Sequence, residues 1–383
     1  MGEQVTNQSG AGSSLVDRAH DIAVLAGERA EKAEAARTPD SDVINAVVDA
    51  GFARHFVAPR FGGTWGTLAE LKRAAVTIGA ECPATAWCAG LAALWARAVG
   101  FLPPEGQERL WANGPDALVS GGVTPRGTAD PVAGGWQLSG SWPLVSGCEH
   151  ADWVMLAGIV LLDGARADRV FVVPRAAVGI ERTWDDIGMQ ATGSHTVVVD
   201  EVFVAESMTF PFRCFTDLDT AQAGPDGRAV PLLGVNTFVF CLPMLGAARG
   251  ALNQWQRVIG PKLNSPPAHD DAVFARYAEV FARSTGEIDA AELMLDRVAH
   301  LIDSADTSTR VDAGRNQRDC AFAAELLVTA VDRLMRISGT SGHSTRLPLQ
   351  RLWRDIHTAG GHPALQFGTA AAAFAREVVT PSS

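Results

Sequence analysis

The chain is 383 residues long, with 47% hydrophobic and 20% charged side chains. That balance is typical of soluble globular proteins, and the length gives room for two or three domains with buried cores. The formal net charge is −11 at pH 7. Because both nucleic acid and anionic membranes require clustered positive charge, and no dense run of lysine and arginine occurs, neither is expected as a partner.

Targeting and cysteine signals are absent from the sequence. The first 14 residues lack the basic and apolar parts of a signal peptide, and no run of about 18 apolar residues occurs, so a cytoplasmic location is expected. The six cysteines are scattered without a CxxC pair, which favours reduced, mostly buried thiols over disulfides or a zinc site. No metal site is predicted.

A flexible tail, residues 1–14, precedes a predicted N-terminal helical domain at residues 15–116. Apolar residues at helical spacing predict helices at 15–37, 41–50, 68–80 and 83–101. The last of these is apolar on nearly all faces, which predicts a helix buried inside the protein.

At about residue 117 the pattern changes to short alternating or apolar runs, which predicts a central antiparallel β domain over residues 117–220. The expected strands lie at 117–120, 135–138, 153–162, 169–173 and 195–204, and residues 214–231 form a polar connection.

Long helices return in residues 221–383, where they predict a C-terminal helical bundle. The expected helices are 238–258, 269–302, 310–337 and a pair that flanks His362. Helices of this length commonly bury their remaining apolar stripes against other subunits, so an oligomer is expected.

His362 lies between two helix signals. Gly360 and Gly361 are expected to end the helix that begins at Pro348, and Pro363 is suited to open the Ala-rich helix that follows. His362 is therefore predicted at a helix N-cap, where the helix dipole disfavours imidazolium. A neutral imidazole suits general acid and base chemistry, and a solvated loop histidine is the alternative.

Common nucleotide, hydrolase and zinc-protease motifs are absent, so chemistry in this chain is expected to need a cofactor held in another way. The candidate seat lies in the central domain. Gly121 and Gly122 leave backbone N–H groups open to a planar ligand, and Ser146 offers a hydroxyl beside the bare backbone of Gly147. Ordinary turns between strands are the alternative for these glycines.

Three stretches carry a resemblance to a known family: GGWQLSGSWPLVSGCEHADWVML at 134–156, WDDIGMQATGSHTVVVDEVFV at 184–204 and LPLQRLWRDIHTAGGHPALQ at 347–366. In this order they resemble the acyl-CoA dehydrogenase superfamily, over essentially the whole chain after the first dozen residues. The resemblance implies an α+β fold with an N-terminal helical domain, a central antiparallel β-barrel and a C-terminal four-helix bundle. It further implies a flavin between barrel and bundle, and a homotetramer, a dimer of dimers, as the usual assembly.

The third stretch separates two chemistries of the superfamily. Acyl-CoA dehydrogenases have a catalytic glutamate shortly after the Arg-Asp pair of this helix, whereas here Arg354 and Asp355 are followed by no carboxylate until Glu377. The stretch is similar instead to the flavin-dependent monooxygenases of the same fold, which have a histidine at the spacing of His362. The resemblance thus implies the oxygenase component of a two-component system, in which a separate NAD(P)H:flavin reductase supplies reduced flavin, FADH2 or FMNH2.

In such enzymes reduced flavin and O2 give a C4a-hydroperoxide that hydroxylates a small, commonly aromatic substrate, phenolic or indole-like. The resemblance implies that His362 handles protons near flavin and substrate, and that the Ser146 hydroxyl lies near flavin N5. Arg283 matches an arginine near the flavin phosphate, with a solvated helix face as the alternative. Trp95 stands where many relatives have a second histidine, and it would line the substrate cavity or simply pack in the core.

Two other functions stay open. A dehydrogenase could recruit its carboxylate from elsewhere in the bundle, for example Glu287 or Glu292. A catalytically silent protein of the same fold would bind no flavin in either redox state.

Overall fold

The computed structural model describes residues 14–162, 164–215, 222–223, 229–230, 232–263, 271–304 and 309–379. Ser14 caps the first helix through a reciprocal contact with Asp17, and Asp40 caps the second. The N-terminal helices are α1 Leu15–Ala36, α2 Ser41–Ala50, α3 Leu68–Gly79, α4 Pro83–Val99 and α5 Pro104–Leu110. The four helices predicted here are confirmed to within two residues at each end.

The middle of the chain forms two four-stranded sheets in the orders β1-β4-β7-β10 and β2-β3-β9-β8, with two small ribbons, β5-β6 and β11-β12. The strands are β1 Val119–Gly122, β2 Thr128–Val132, β3 Gly135–Val145, β4 Trp153–Gly158, β5 Leu161–Leu162, β6 Ala165–Arg166, β7 Arg169–Pro174, β8 Gly179–Glu181, β9 His195–Ala205, β10 Thr209–Pro211, β11 Gln222–Ala223 and β12 Ala229–Val230.

This strand pairing corrects the prediction of an antiparallel β-barrel. Strand β1 pairs with β4 in parallel, because the β2–β3 hairpin between them folds into the other sheet and the chain then returns in the direction of β1. Among the described residues, a single bridge from Thr128 to Ile159 does not extend into a ladder between the sheets. The described strands therefore do not close into a barrel but form two sheets that pack on each other.

The two sheets face each other across buried apolar side chains. The ring centroids of Trp136 on β3 and Phe171 on β7 are 6.1 Å apart. Trp136 and Leu138 alternate with more exposed neighbours along β3, as the predicted period of two requires. The core of this domain therefore lies between the sheets.

Helices make up the rest of the described chain. In pairs, α6 packs on α7, α8 and α10, and α11 packs on α8. Their bounds are α6 Leu232–Leu263, α7 Asp271–Ser304, α8 Arg310–Ile337, α9 Gly339–Gly342, α10 Pro348–Gly360 and α11 Phe367–Val379. The prediction of 310–337 is confirmed at both ends, whereas α6 is longer than predicted, because its buried first turn lacks an amphipathic period.

Helices α4 and α6 lie at the centre of the molecule. Every residue of α4 is buried, which confirms the prediction made from its apolar faces. Helix α6 packs against α3 as well as α4. A Cβ at Gly246 of α6 would lie 2.6 Å from the Cα of Gly79 on α3, so this close approach requires glycine. The contact between α4 and α6 positions the rings of the candidate site.

The connection that contains His362 differs in one respect from its prediction. Helix α10 ends at Gly360 with Gly361 as its C-cap, as predicted. Pro363, however, opens a short 3-10 turn that ends at Leu365, and α11 begins only at Phe367. The extended backbone of the intervening Gln366 (ψ 113°) interrupts the helix that the sequence predicted to be continuous.

Three further predictions concern the molecule as a whole. All six cysteines are free and five are buried, as expected. The segment Gly234–Pro261 is long and apolar enough to cross a membrane, but 83% of its most apolar window is buried, as in a core helix of a soluble protein. The predicted connection at 214–231 lies mostly outside the described residues, and the domain boundaries stay predictions.

Candidate active site

Three rings from distant parts of the chain meet where α4, α6 and the end of α10 converge. Trp87 of α4 stacks on Phe240 of α6 with centroids 5.0 Å apart. The imidazole of His362 lies 4.3 Å from the Phe240 ring and 5.8 Å from the Trp87 ring. The structure therefore sets His362 against an aromatic wall and not in a solvated loop.

His362 occupies the predicted N-cap. Its Nδ1 accepts a hydrogen bond from the backbone N–H of Ala364 at 3.2 Å. Burial lowers the pKa of His362 from 6.5 to about 4, so the imidazole is neutral at neutral pH. Neutrality was predicted, but the cause is desolvation and not the dipole of a long helix, since only a single 3-10 turn follows.

Ser146 is joined to the same wall. The indole Nε1 of Trp87 donates to the Ser146 hydroxyl at 3.2 Å. Pro143 cannot donate a ladder hydrogen bond, and β3 is irregular between Trp142 and Val145, which is where the chain bends toward Ser146. Trp87 thus connects the two predicted catalytic residues, Ser146 and His362.

The neighbours of Ser146 follow from strand register. Val145 pairs with His195 across β3 and β9, so Ser146 and Ser194 face each other just beyond the ladder, with hydroxyl oxygens 2.8 Å apart. The Ser194 hydroxyl in turn lies 2.6 Å from that of Thr192. Three hydroxyl groups therefore form a continuous chain that begins at the site.

Gly147 turns beside this chain with φ +68°, a conformation that favours glycine. Its N–H donates to the Thr192 carbonyl at 2.8 Å. A Cβ built on Gly147 would meet only the Ser120 hydroxyl at 3.7 Å and the Cys88 sulfur at 3.9 Å. No atom therefore crowds the Gly147 backbone on this side.

The Arg-Asp pair of α10 holds the neighbouring loop. Asp355 is buried, and its Oδ1 accepts from the Met189 N–H at 2.6 Å. Burial raises the pKa of Asp355 from 3.8 to about 7. Arg354 binds Glu34 of α1 at 3.0 Å and donates to the Ile187 carbonyl. The pair thus fixes the turn that leads into Thr192 and Ser194.

The predicted glycine pair sits on strand β1, at an edge of its sheet. A Cβ at Gly121 would lie 2.6 Å from the indole of Trp95, and one at Gly122 would lie 3.1 Å from Trp142. At both positions a tryptophan side chain occupies the space that a Cβ would need. Trp95 is 4% exposed, and its Nε1 has no hydrogen-bond partner among the described residues.

Arg283 is not near the ring cluster in any described contact. Its side chain is 65% exposed and pairs with Glu279 one turn earlier on α7. It lines a recess of about 440 Å³ between α7 and α8. The other lining residues are Arg276, Glu279, Val280, Arg333, Arg336 and Ile337. Arginine predominates there, although Arg333 is already paired with Glu287.

The carboxylates considered for dehydrogenase chemistry are engaged elsewhere. Glu287 receives both guanidinium nitrogens of Arg333, at 2.5 and 2.7 Å. Glu292 pairs with the buried Lys72 at 2.9 Å and also with Arg249. Because both carboxylates are held in ion pairs, neither is available in this structure as the catalytic base of a dehydrogenase.

Several residues of the site were missed in the sequence. Trp87 and Phe240 lie in helices that are apolar on most faces, so nothing local distinguishes them from core residues. Thr192 and Ser194 stand within the quoted stretch QATGSHT, where two hydroxyl side chains around a glycine were the available signal. His195, the next residue and the first of β9, bonds to the Arg37 carbonyl and is structural.

The chain is similar to known proteins over nearly its whole length. The C-terminal domain of acyl-CoA dehydrogenases matches residues 238–367. The chain is 31% identical over 384 residues to the oxygenase component of the FADH2-dependent resorcinol hydroxylase of Rhizobium sp., covering 92% of this chain and 91% of that one.

Solved structures show the same fold. The 3-HSA hydroxylase of Rhodococcus sp. RHA1 superposes with a TM-score of 0.90 at 26% identity, covering 97% of this chain and 98% of that one. XiaF of Streptomyces sp., solved with FADH2 and glycerol, gives 0.86 at 25% identity and covers 95% and 94%. The chain belongs to the flavin-dependent monooxygenases of the acyl-CoA dehydrogenase fold, in the family of their oxygenase components.

Proposed function

We propose that this protein uses reduced flavin, FADH2 or FMNH2, and O2 to hydroxylate a small aromatic substrate, phenolic or indole-like. The observation that carries the proposal is the contact of His362 with Trp87 and Phe240, with Trp87 bonded to Ser146. Family membership supports the same chemistry. A separate NAD(P)H:flavin reductase supplies the reduced flavin, and the protein works in the cytoplasm.

The residues present fit a flavin. Ser146 is partly exposed, and Gly147 beside it has no side chain that would cover the backbone. Gly121 lies on an edge strand with its N–H on the side away from β4, whereas the N–H of Gly122 points toward β4. When bound, reduced flavin supplies the two electrons that activate O2. The aromatic wall excludes water from that chemistry.

His362 holds a proton at Nε2. Because Nδ1 accepts from the Ala364 N–H, the neutral ring carries its hydrogen on the other nitrogen. In this tautomer His362 donates a hydrogen bond to the site and does not withdraw a proton from the substrate. Of the proton-handling roles that the resemblance implies for His362, this tautomer favours that of a hydrogen-bond donor or general acid.

Two unpaired polar atoms are suited to orient the substrate. Among the described residues, the buried Nε1 of Trp95 lacks an acceptor and the buried Oδ1 of Asn236 lacks a donor. Asn236 is one helical turn before Phe240, on the same face of α6. A phenol or indole presents the O–H or N–H that Asn236 requires, and a substrate oxygen would accept from Trp95.

The recess at Arg283 is suited to phosphate, which arginine binds through its fork of donors. Because Arg283 lies on the outside of α7, we assign the phosphate to a flavin held by a neighbouring subunit. That arrangement requires an oligomer, a homotetramer built as a dimer of dimers, in which α6, α7, α8 and α10 form a four-helix bundle.

The test is substitution of His362, with flavin reductase, NADH and a panel of phenols and indoles. His362→Ala is expected to lower hydroxylated product by about a hundredfold and to raise hydrogen peroxide, because the donor at Nε2 is lost. His362→Asn, which keeps an acceptor for Ala364 and a donor toward the site, should retain more product than His362→Ala.

The matched control is His357→Ala. His357 is on α10 but bonds to Trp353 and Asp332, away from the ring cluster. Product formation should persist in this variant. Equal product from wild type and His362→Ala would overturn the assignment, and equal loss in the Asn and Ala variants would overturn the donor role.

A further inference from the structure

The hydroxyl chain beside the site has a fixed direction. Its members are Thr192, Ser194 and Ser146, with Thr192 and Ser194 buried and Ser146 partly exposed. Thr192 is 2.8 Å from the carbonyl of Met189, and a carbonyl oxygen can only accept. The Met189 oxygen also accepts from Trp184 Nε1 and from the Thr192 N–H, each at 3.0 Å. Because two oxygen atoms 2.8 Å apart need a hydrogen between them and the carbonyl carries none, the hydroxyl hydrogen of Thr192 points to Met189.

The remaining hydrogens follow from that anchor. Since Thr192 has no second hydrogen, the 2.6 Å contact requires Ser194 to donate to Thr192. Ser194 has then used its own hydrogen, so the 2.8 Å contact requires Ser146 to donate to Ser194. A chain of hydroxyls anchored on a carbonyl runs in one direction only.

Ser146 therefore meets the site as an acceptor. Its hydrogen points to Ser194, and one of its two lone pairs receives the Trp87 Nε1–H. The remaining lone pair faces the accessible side of the residue. Only a group that carries a hydrogen can bond to it.

We propose that Thr192 and Ser194 are positioning residues that make Ser146 an obligate acceptor, and that this selects reduced over oxidised flavin. The inference rests on the proposed function and on the position of the Ser146 hydroxyl near flavin N5 that the family resemblance implies. N5 of a reduced flavin carries a hydrogen, whereas N5 of an oxidised flavin offers only a lone pair. An acceptor that faces a lone pair gains nothing and stays unsatisfied.

The fold holds this chain in place from two sides. The β3–β9 register sets Ser146 opposite Ser194, and Gly193 (φ +55°) allows the turn between Thr192 and Ser194. Asp355 binds the Met189 N–H and so fixes the residue whose carbonyl anchors the chain. The direction of the hydroxyls is therefore determined by tertiary structure.

The experiment measures dissociation constants of oxidised and dithionite-reduced FAD and FMN, anaerobically, by ultrafiltration and absorbance. Ser194→Ala frees the Ser146 hydrogen, and Thr192→Val lets Ser194 reverse and donate to Ser146. Both variants are expected to lower the preference for reduced flavin by about threefold to tenfold, the effect of one hydrogen bond. Thr192→Ser keeps the hydroxyl and should restore the wild-type preference.

The matched control is Thr196→Val. It removes the buried Thr196 hydroxyl, which pairs with the exposed Thr183 at 2.7 Å, and leaves the chain of Thr192, Ser194 and Ser146 intact. Its preference should equal that of wild type. If wild type prefers reduced flavin and both Ser194→Ala and Thr192→Val keep that preference, the inference is wrong while the proposed function stands. If wild type binds neither redox state, both are wrong.

Discussion

At the scale of single residues, the site depends on which atoms are already engaged. His362 Nδ1 is used by the backbone, so its free nitrogen is a donor. Ser146 uses its hydrogen on Ser194, so its free lone pair is an acceptor. Trp87 links the two, because its ring contacts His362 while its N–H bonds to Ser146. Replacing Trp87 by another aromatic residue therefore tests its hydrogen bond to Ser146 separately from its ring packing.

Trp87→Phe is predicted to keep the stack on Phe240 but to lose the hydrogen bond to Ser146. The ratio of hydroxylated product to hydrogen peroxide should fall about twofold to tenfold, as expected for one hydrogen bond. Trp255→Phe is the control, because Trp255 is also buried among rings but far from these contacts. A wild-type ratio in Trp87→Phe would mean that the indole N–H has no part in coupling.

At the scale of elements, α4 and β1 are fitted to each other by one glycine and one tryptophan. The Gly121 backbone lies against the Trp95 indole, with room for no Cβ between them. A strand glycine that looked like part of a ligand seat thus also permits a helix to approach a sheet edge. Its N–H stays a proposal for flavin binding, since that edge has no strand partner.

Gly121→Ala is predicted to lower the free energy of unfolding by about 1–3 kcal/mol, because the new Cβ would overlap Trp95. Trp95→Leu should recover much of that loss in the double variant, so the two effects should not add. Urea midpoints at one protein concentration measure both.

Gly286→Ala on α7 serves as the control for this pair. Nothing lies within 4 Å of its Cβ position, so the added methyl should leave stability equal or slightly higher. Additive losses from Gly121→Ala and Trp95→Leu would contradict the proposed fit between α4 and β1.

At the scale of the whole molecule, two buried groups give opposite pH dependences. Burial lowers the pKa of His362 to about 4 and raises the pKa of Asp355 to about 7. For His362 the unfolded chain binds more protons between about pH 4 and 6.5, so its contribution to stability is lost as pH falls through that window. For Asp355 the folded chain binds more protons between about pH 4 and 7, so stability falls as pH rises there.

Substituting His362 and substituting Asp355 should therefore change the pH dependence of the free energy of unfolding, measured from pH 4 to 6.5, in opposite directions. His362→Asn is expected to reduce the increase of the free energy of unfolding between pH 4 and 6.5 by up to about 3 kcal/mol. Asp355→Asn, which keeps an acceptor for Met189, should steepen it. The exposed His300→Asn is the control. Slopes that match wild type in both variants would show that neither group titrates differently on folding.

Much of the fold and part of the site could be predicted from the sequence. Helix bounds such as 310–337 follow from local capping and periodicity, and the burial of α4 follows from its all-apolar faces. His362 and Ser146 stood out by resemblance, and the missing glutamate after Asp355 pointed to the right branch of the family. All of these signals lie within short stretches of chain.

What only the tertiary structure decided are relations between distant stretches. The parallel pairing of β1 with β4 depends on which sheet the intervening hairpin joins, and no local pattern encodes that choice. Trp87 and Phe240 look like ordinary core residues until folding brings His362 against them. The sequence alone predicted a neutral His362, but burial in the folded chain, and not the helix dipole, lowers its pKa. The contacts around His362 and Ser146 determined which nitrogen and which lone pair are already engaged.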